Sequence, residues 1–283
     1  MTTLPIFPPG VLEASKNNKL IVFLGAGISC AAGLPDWNNV KNNLITRLRE
    51  NKLCEESVLQ QYTRMDFYEC FELIRSTNVK IYQETIDKSV ELNDQVKIEN
   101  YKNWIKIIKS WKPIAIVSTN VDELLLNYSG CSKDDFRTKD NCAPQDLKSN
   151  KVFLIHGVGK ESIWTLNIRD TLYGNRNFEN FLWNVFGSYT VLFMGTSFRE
   201  KWREYVKLNP ALQGQKRYFH YALLPSAPEY ISDLELEQFS GVHAIKYDNS
   251  DGVHINFAAT IENWNLSKPR LNEDDITKAG TPK

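Results

Sequence analysis

Four short segments of this chain carry glycines or polar side chains that could bind and cleave a phosphorylated ligand. The first is Gly25–Gly27, which ends the apolar run Leu20–Leu24 and is followed by Ser29. Glycine allows close approach of the backbone, and a helix that follows directs free N–H groups and a partial positive charge at an anion. The next glycine comes only at Gly33, so the spacing differs from the usual dinucleotide fingerprint. Alone, this loop predicts an anion site at a strand end.

The other three segments also follow apolar runs. Asn120 and Asp122 come after one run, His156 after a second, and the turn Gly195–Ser197 after a third. Each segment also has an ordinary structural explanation. The Asn/Asp pair could cap a helix beginning at Glu123. The histidine could be a core residue with its hydrogen bonds made within the protein, and the turn could simply lead into a helix. Their joint occurrence after strand-like runs predicts a single nucleotide-binding site.

The apolar runs that must position these residues have the length and composition of buried parallel strands. They are Leu20–Leu24, Ile114–Ser118, Val152–Ile155, Thr190–Met194, Tyr218–Leu224 and His243–Tyr247. Amphipathic helical patterns alternate with them, at Trp37–Leu48, Phe178–Phe186 and Phe198–Val206. This alternation predicts an α/β fold with a doubly wound, mostly parallel, Rossmann-like sheet and a ligand at the carboxyl ends of the strands.

One long interval interrupts the alternation. About ninety residues separate the first two strand-like runs, too many for a bare crossover, and 52–99 shows helical patterns without a clear strand. We predict a single domain over 1–283 with a helical insertion at about 52–99 and a loose tail at about 267–283. The insertion is either a lid over the ligand or a packing subdomain without chemistry.

Composition excludes several classes of protein. Thirty-four basic and thirty-four acidic residues give no net charge, which argues against a general polyanion-binding surface, and no nucleic-acid motif stands out. Five scattered cysteines form no disulfide framework, and the apolar run after Lys19 begins too late and contains too much glycine for a signal peptide. No stretch reaches the roughly 18–20 apolar residues of a membrane span. We expect a cytoplasmic protein without a membrane anchor.

The four segments, in this order, resemble the motifs of the sirtuin family. Gly25–Trp37 is similar to its GAGxS…GxPDF loop, Ser118–Asp122 to its TQNID, His156-Gly157 to its catalytic HG and Gly195–Ser197 to its GTS. The resemblance covers residues 20–200 and implies a sirtuin-type Rossmann fold with NAD⁺ as the ligand.

Departures from the family pattern narrow the expected function. The chain has no CxxC pair, so the zinc ribbon of the sirtuin deacylases is missing and we predict no metal. Asn38 replaces the usual Arg, and Phe198 follows Ser197 where the peptide-binding Val-x-Pro would begin. The region after Phe181 is more similar to the sirtuin-like NAD⁺ hydrolases of bacterial antiphage systems. Those effectors are often fused to or partnered with a sensor, such as a short Argonaute or a hexameric ATPase, and we recognise no sensor domain in this sequence.

The resemblance also implies roles for individual residues. Asn120 would position water or the ribose, Asp122 would bind the carboxamide and His156 would be the base, a role that suits the near-neutral pKa of imidazole. The diphosphate would be held at Gly25, Ala26, Gly27 and Ser29, the nicotinamide side would face Asp36 and Trp37, and the adenosine side would face Thr196 and Ser197. Trp37 also fits the apolar face of its helix, so core packing is an alternative for it.

We therefore expect an NAD⁺ glycohydrolase that releases nicotinamide and ADP-ribose and serves as an antiphage effector. An NAD-dependent protein deacylase and a non-catalytic module that senses NAD⁺ or ADP-ribose are the alternatives. Uncontrolled hydrolysis would drain the cell of NAD⁺, so we also expect control by assembly, either as a homo-oligomer or with a defence sensor.

Overall fold

A seven-stranded sheet forms the centre of the protein. The computed structural model describes residues 4–148, 151–159, 165–198, 200–207, 220–226, 241–250 and 254–266, so the predicted tail lies outside the described residues. The strands are β1 (Leu20–Leu24), β2 (Ala115–Ser118), β3 (Phe136–Thr138), β4 (Lys151–Leu154), β5 (Thr190–Met194), β6 (His220–Pro225) and β7 (Val242–Tyr247). All pairings are parallel, in the order β3-β4-β2-β1-β5-β6-β7. The predicted doubly wound α/β fold is confirmed.

Helices cover both faces of this sheet. They are α1 (Pro9–Lys16), α2 (Ala26–Ala31), α3 (Trp37–Glu50), α4 (Glu56–Arg64), α5 (Phe67–Thr77), α6 (Val79–Ser89), α7 (Gln95–Ser110), α8 (Leu124–Tyr128), α9 (Leu166–Tyr173), α10 (Arg176–Ser188), α11 (Arg203–Lys207) and α12 (Ile255–Asn263). Every residue of β1 is buried, and successive side chains enter opposite cores. Val22 and Leu24 pack with α7 and α12, whereas Ile21 and Phe23 pack with α10.

The direction of winding changes at β1. From β1 the chain forms the β2, β4 and β3 side of the sheet and then returns to build β5, β6 and β7 on the other side. Leu24 pairs with Ser118 of β2 and with Met194 of β5, so the carboxyl ends of the three central strands are level. A doubly wound sheet binds its ligand at this topological switch point, and the candidate residues follow these strands.

The predicted insertion contains α4, α5, α6 and the beginning of α7. Its apolar side chains form a separate core with the buried face of α3, built around Leu44, Leu48 and Phe71. Arg47 of α3 also reaches α6, where its guanidinium lies 2.5 Å from the Glu84 carboxylate and 2.9 Å from the Thr85 hydroxyl. These contacts hold α6 against α3, the helix that follows the glycine loop.

The structure differs from the sequence-based expectation in two places. The edge strand β3 was not predicted because it has only three residues, all partly exposed, and therefore lacks an apolar run. The helix expected at Phe198–Val206 begins only at Arg203. Phe198 has a φ of +55°, a left-handed conformation that no helix continues, and its ring packs in the core against Trp202.

Within the described ranges, none of the helices has the combination of length and apolar character that crossing a bilayer requires.

Candidate functional site

The glycine loop after β1 is hydrogen-bonded to the end of β5. The Gly25 amide donates to the Met194 carbonyl over 2.9 Å, and the Gly27 amide donates to the Gly195 carbonyl over 2.8 Å. Both amides therefore serve the protein itself. In α2, which begins at Ala26, the Ile28 amide donates to the Gly25 carbonyl over 3.3 Å, so it too is used within the protein. Of the residues predicted to hold a diphosphate, Ala26 and Ser29 retain groups that a ligand could use.

The close approach of these two loops explains the glycines. A Cβ on Gly25 would lie 2.6 Å from the Gly195 carbonyl oxygen, and one on Gly27 would lie 2.6 Å from the Gly195 Cα. In return, a Cβ on Gly195 would lie 2.7 Å from the Ile28 nitrogen. All three separations are shorter than van der Waals contact permits, so loop packing requires glycine here whether or not a phosphate binds.

Ser29 joins the glycine loop to the polar residues after β2. The Asn120 side-chain amide donates to the Ser29 hydroxyl over 2.8 Å, and the Asn120 backbone amide donates to the Ser118 hydroxyl over 3.1 Å. Asn120 is only 5% exposed, and its Oδ1 atom accepts no hydrogen bond from the described residues. A buried acceptor without a partner is costly, so this oxygen is suited to receive a donor from a ligand or a water molecule.

Asp122 lies on the same side of the site. One carboxylate oxygen accepts from the Leu124 amide over 3.0 Å, so Asp122 pairs the first amide of α8, although the N-cap residue of this helix is Glu123. Burial raises the pKa of the Asp122 carboxyl, while interactions with the Ser29 hydroxyl and the Leu124 amide lower it by less. Its second oxygen leaves the residue able to bind a further donor such as a carboxamide.

A cleft opens in front of these residues at the carboxyl edge of the sheet. The space in front of the lining residues is about 380 Å³, a figure that includes the solvent at its open mouth. The lining combines the loops after β1 and β2 with the beginning of α3 and the end of α6: Ala26, Ser29, Leu34, Pro35, Trp37, Val40, Ser89, Val90, Asn120, Val121 and Asp122.

The two residues predicted for the nicotinamide side behave differently. Trp37 lines the cleft, and its ring stacks on Phe67 of α5 with centroids 5.2 Å apart, so it serves both the cleft wall and the insertion core. Asp36 is exposed and caps α3 by accepting the Asn39 amide over 2.7 Å. Asp36 is therefore engaged in helix capping outside the set of cleft-lining residues.

His156 lies behind the cleft and is not part of its lining. The imidazole is completely buried, and its Nε2 atom lies 3.0 Å from the Tyr173 hydroxyl of α9. Burial lowers the pKa of His156 to about 3, against a smaller raising effect from the Thr119 backbone, so the ring is neutral at physiological pH. In this structure a ligand in the cleft would not touch the imidazole.

The turn after β5 also divides between interior and surface. Thr196 is 9% exposed, and its hydroxyl has no hydrogen-bond partner among the described residues. Ser197 is exposed to solvent. Both adjoin Gly195, at the switch point between β5 and β1, on the opposite side of β1 from Asn120.

Two groups of residues near the site were not predicted individually. Ser89 and Val90 line the cleft from the end of α6, and only the general position of an insertion could be read from the sequence. Tyr173 contacts His156 from a helix whose pattern does not distinguish it from other core aromatic residues.

A second buried polar cluster connects the insertion to the sheet. The Tyr68 hydroxyl of α5 donates to the Glu200 carboxylate over 2.9 Å, and the Arg169 guanidinium of α9 lies 4.8 Å from the centre of the Tyr68 ring. Burial raises the pKa of Glu200 to about 7, while Tyr68 and Arg169 oppose that rise. The cluster therefore contains a carboxyl group that titrates near neutral pH.

Comparison of the sequence with models of known protein families gave no match, and a search of curated proteins likewise gave none. The assignment of function therefore depends on the site itself and on the motif resemblance.

Proposed function

We propose that this protein is a sirtuin-like NAD⁺ glycohydrolase that cleaves the bond between nicotinamide and ribose. The observation that supports this most directly is the group formed by Ser29, Asn120 and Asp122 in one cleft at the topological switch point. The sequence motifs that contain these residues occur in the same order as in the sirtuins.

The reaction requires little from the protein beyond binding, orientation and a base. Nicotinamide leaves as a neutral molecule through an oxocarbenium-like transition state, so no acid is needed to protonate it. The Asn120 Oδ1 atom would accept a hydrogen bond from the attacking water or a ribose hydroxyl. Asp122 would accept a hydrogen bond from the carboxamide NH₂. His156 would take up the proton released by water after a rearrangement that exposes its imidazole to the cleft and raises its pKa from about 3.

The apolar parts of the cleft fit the same substrate. Trp37, Leu34 and Val121 offer surface for a flat nicotinamide ring. Oxocarbenium-like species react readily with water, and the walls contributed by Val40 and Val90 would restrict the water that reaches them. The insertion would therefore act as the lid of this cleft.

The proposal is tested by incubating the purified chain with NAD⁺ and measuring nicotinamide and ADP-ribose. We expect Asn120→Ala to reduce turnover at least a hundredfold, and His156→Ala to abolish it. The matched control is Asn127→Ala, which removes an exposed asparagine on α8, seven residues away along the chain, and should retain full turnover. Equal turnover by wild type and Asn120→Ala would contradict the proposal.

The burial of His156 favours one alternative, a module that binds NAD⁺ or ADP-ribose without cleaving it. Such a module would retain intact NAD⁺ after prolonged incubation, and Asn120→Ala would weaken binding measured by calorimetry. An acyl-lysine peptide added to the same assay tests the deacylase alternative through the appearance of O-acyl-ADP-ribose.

The biological setting that we propose is cytoplasmic antiphage defence, with activity controlled by a homo-oligomer or by a sensor of the short-Argonaute or hexameric-ATPase type. Turnover per chain should then rise with protein concentration or on addition of the partner, in parallel with the measured particle size. A monomer with full, concentration-independent activity would contradict this control.

A further inference from the structure

The contact between His156 and Tyr173 has a preferred direction. Both side chains are buried, and burial together with nearby Glu200 raises the pKa of Tyr173 well above 10, so the phenol keeps its proton. The Trp202 backbone amide approaches the phenol oxygen and lowers that pKa by less. Among the described residues, the group within hydrogen-bond distance of the phenol that can accept its hydrogen is Nε2 of His156, 3.0 Å away.

The opposite side of the imidazole agrees with this direction. On that side, Nδ1 has no hydrogen-bond partner among the described residues, although the Thr119 backbone raises the pKa of the ring. If Tyr173 donates to Nε2, only the Nδ1–H group lacks a partner, whereas a proton on Nε2 would leave both the phenol hydrogen and the Nδ1 lone pair without one. Nε2 is then the unprotonated, basic nitrogen, and the Tyr173 hydroxyl lies on it.

We propose that the Tyr173 hydroxyl masks the basic nitrogen of His156 in the unliganded protein, fixing the Nδ1–H form of the ring, until a ligand hydroxyl replaces it. The proposal rests on the proposed function, in which His156 is the base. The ligand group that it implies is a ribose hydroxyl or a water molecule, since either can donate to Nε2 as Tyr173 does.

The helix that carries Tyr173 is linked to the insertion. Arg169, one turn earlier in α9, lies over the Tyr68 ring of α5, and Tyr68 bonds to Glu200. Lys201 lies 5.8 Å from the centre of the Tyr173 ring, and Tyr205 stacks on the same ring at 6.3 Å. A movement of α5 on ligand binding or assembly would thus be transmitted to α9 and to the hydroxyl that covers Nε2.

Nitrogen NMR of the histidine rings tests the masking without any enzymatic assay. The chain has four histidines, and His156→Ala identifies the signals of interest in a ¹⁵N-histidine-labelled sample. We expect a neutral wild-type ring with protonated Nδ1 and unprotonated Nε2 at pH 7. Tyr173→Phe should shift the Nε2 signal toward that of an imidazole nitrogen without a donor. A wild-type ring protonated on Nε2 would overturn the proposal even if the Phe variant did not fold.

Tyr205→Phe is the matched control. It removes a phenol hydroxyl that contacts the Tyr173 carbonyl and the Glu179 carboxylate but does not reach His156. The Nε2 signal should be unchanged in this variant. An Nε2 signal that ignores Tyr173→Phe, or that moves equally in both variants, would contradict masking.

A kinetic measurement then connects masking to the proposed reaction. Tyr173→Phe should raise kcat of the isolated chain about tenfold, the factor that corresponds to one hydrogen bond of ordinary strength, while Tyr205→Phe leaves kcat unchanged. An unchanged or lower kcat in an active Tyr173→Phe protein would contradict the proposal. If no variant cleaves NAD⁺ although the ring signals behave as expected, the proposed function fails and the contact remains established.

Discussion

The Asn120 side chain donates to the Ser29 hydroxyl over 2.8 Å, although 91 positions separate the two residues in the chain. This bond joins the loop after β2 to the helix after β1, and the Asn120 Oδ1 atom has no hydrogen-bond partner among the described residues. A single hydroxyl thus organises the polar side of the candidate site.

Ser29→Ala should reduce both stability and ligand binding. The buried Asn120 amide would lose its acceptor, which costs about 1–3 kcal/mol, and the pKa of Asp122 would rise further without the Ser29 hydroxyl. Urea unfolding and NAD⁺ calorimetry measure the two effects. Ser197→Ala, at an exposed serine of the β5 turn, should change the free energy of unfolding by less than about 0.5 kcal/mol. Equal stabilities for the two variants would contradict the role of Ser29.

Gly195→Ala should be much more damaging than Gly130→Ala. The two glycines have nearly the same φ, +67° and +68°, but a Cβ meets the Ile28 nitrogen at 2.7 Å only at Gly195, whereas nothing lies within 4 Å at Gly130. Backbone strain of about 1–2 kcal/mol is common to both, and the clash adds about 1–3 kcal/mol at Gly195. Unfolding curves of the two variants measure the difference. Similar curves would show that the two loops can move apart at little cost in free energy.

Glu200→Gln should stabilise the protein more at pH 8 than at pH 5.5. Because the pKa of Glu200 is raised to about 7 in the folded chain, the folded state holds this proton more tightly than the unfolded state. The protonated Glu200 carboxyl therefore contributes its full stabilisation of the folded state below about pH 4.5. This contribution is lost as the pH rises through 7. Glutamine keeps an acceptor for Tyr68 without the buried charge. A stability change that is equal at the two pH values would contradict the shifted carboxyl.

The buried histidines should destabilise the protein in mild acid. Burial lowers the pKa of His156 to about 3 and that of His220 to about 4, so only the unfolded chain takes up these protons as pH falls below 6.5. Each histidine then removes about 1.4 kcal/mol of stability per pH unit until its folded pKa is reached. Between pH 6.5 and 4, the free energy of unfolding of His156→Gln should therefore fall less steeply with decreasing pH than that of the wild type, by about 1.4 kcal/mol per pH unit. Identical slopes in wild type and variant would argue against the buried neutral ring.

The central strands β1 and β5 were predictable because they are buried on both faces. β5 and β1 were predicted to the residue, since each is a short, almost entirely apolar run that ends at a glycine. Because β1 and β5 are neighbours in the sheet, Gly25 and Gly195 lie next to each other at their carboxyl ends. This is the switch point at which the cleft lies.

Side-chain contacts across the site could not be predicted in the same way. The Ser29–Asn120 and Tyr173–His156 hydrogen bonds depend on how the helices pack on the sheet. Neither pair of residues is marked by a periodic pattern in the sequence. Asp36 fits the family motif by sequence, yet its local geometry makes it a helix cap.

The mutual fit of Gly25, Gly27 and Gly195 has a consequence for anyone who exchanges parts between Rossmann-like proteins. The two loops touch backbone to backbone, so neither has a surface that could adapt to a foreign counterpart. A glycine loop grafted from this chain into another scaffold would have to bring its β5 turn with it. For the same reason, substitutions at these three positions should covary among natural relatives. A larger residue should occur in one loop only where the other loop lies farther away.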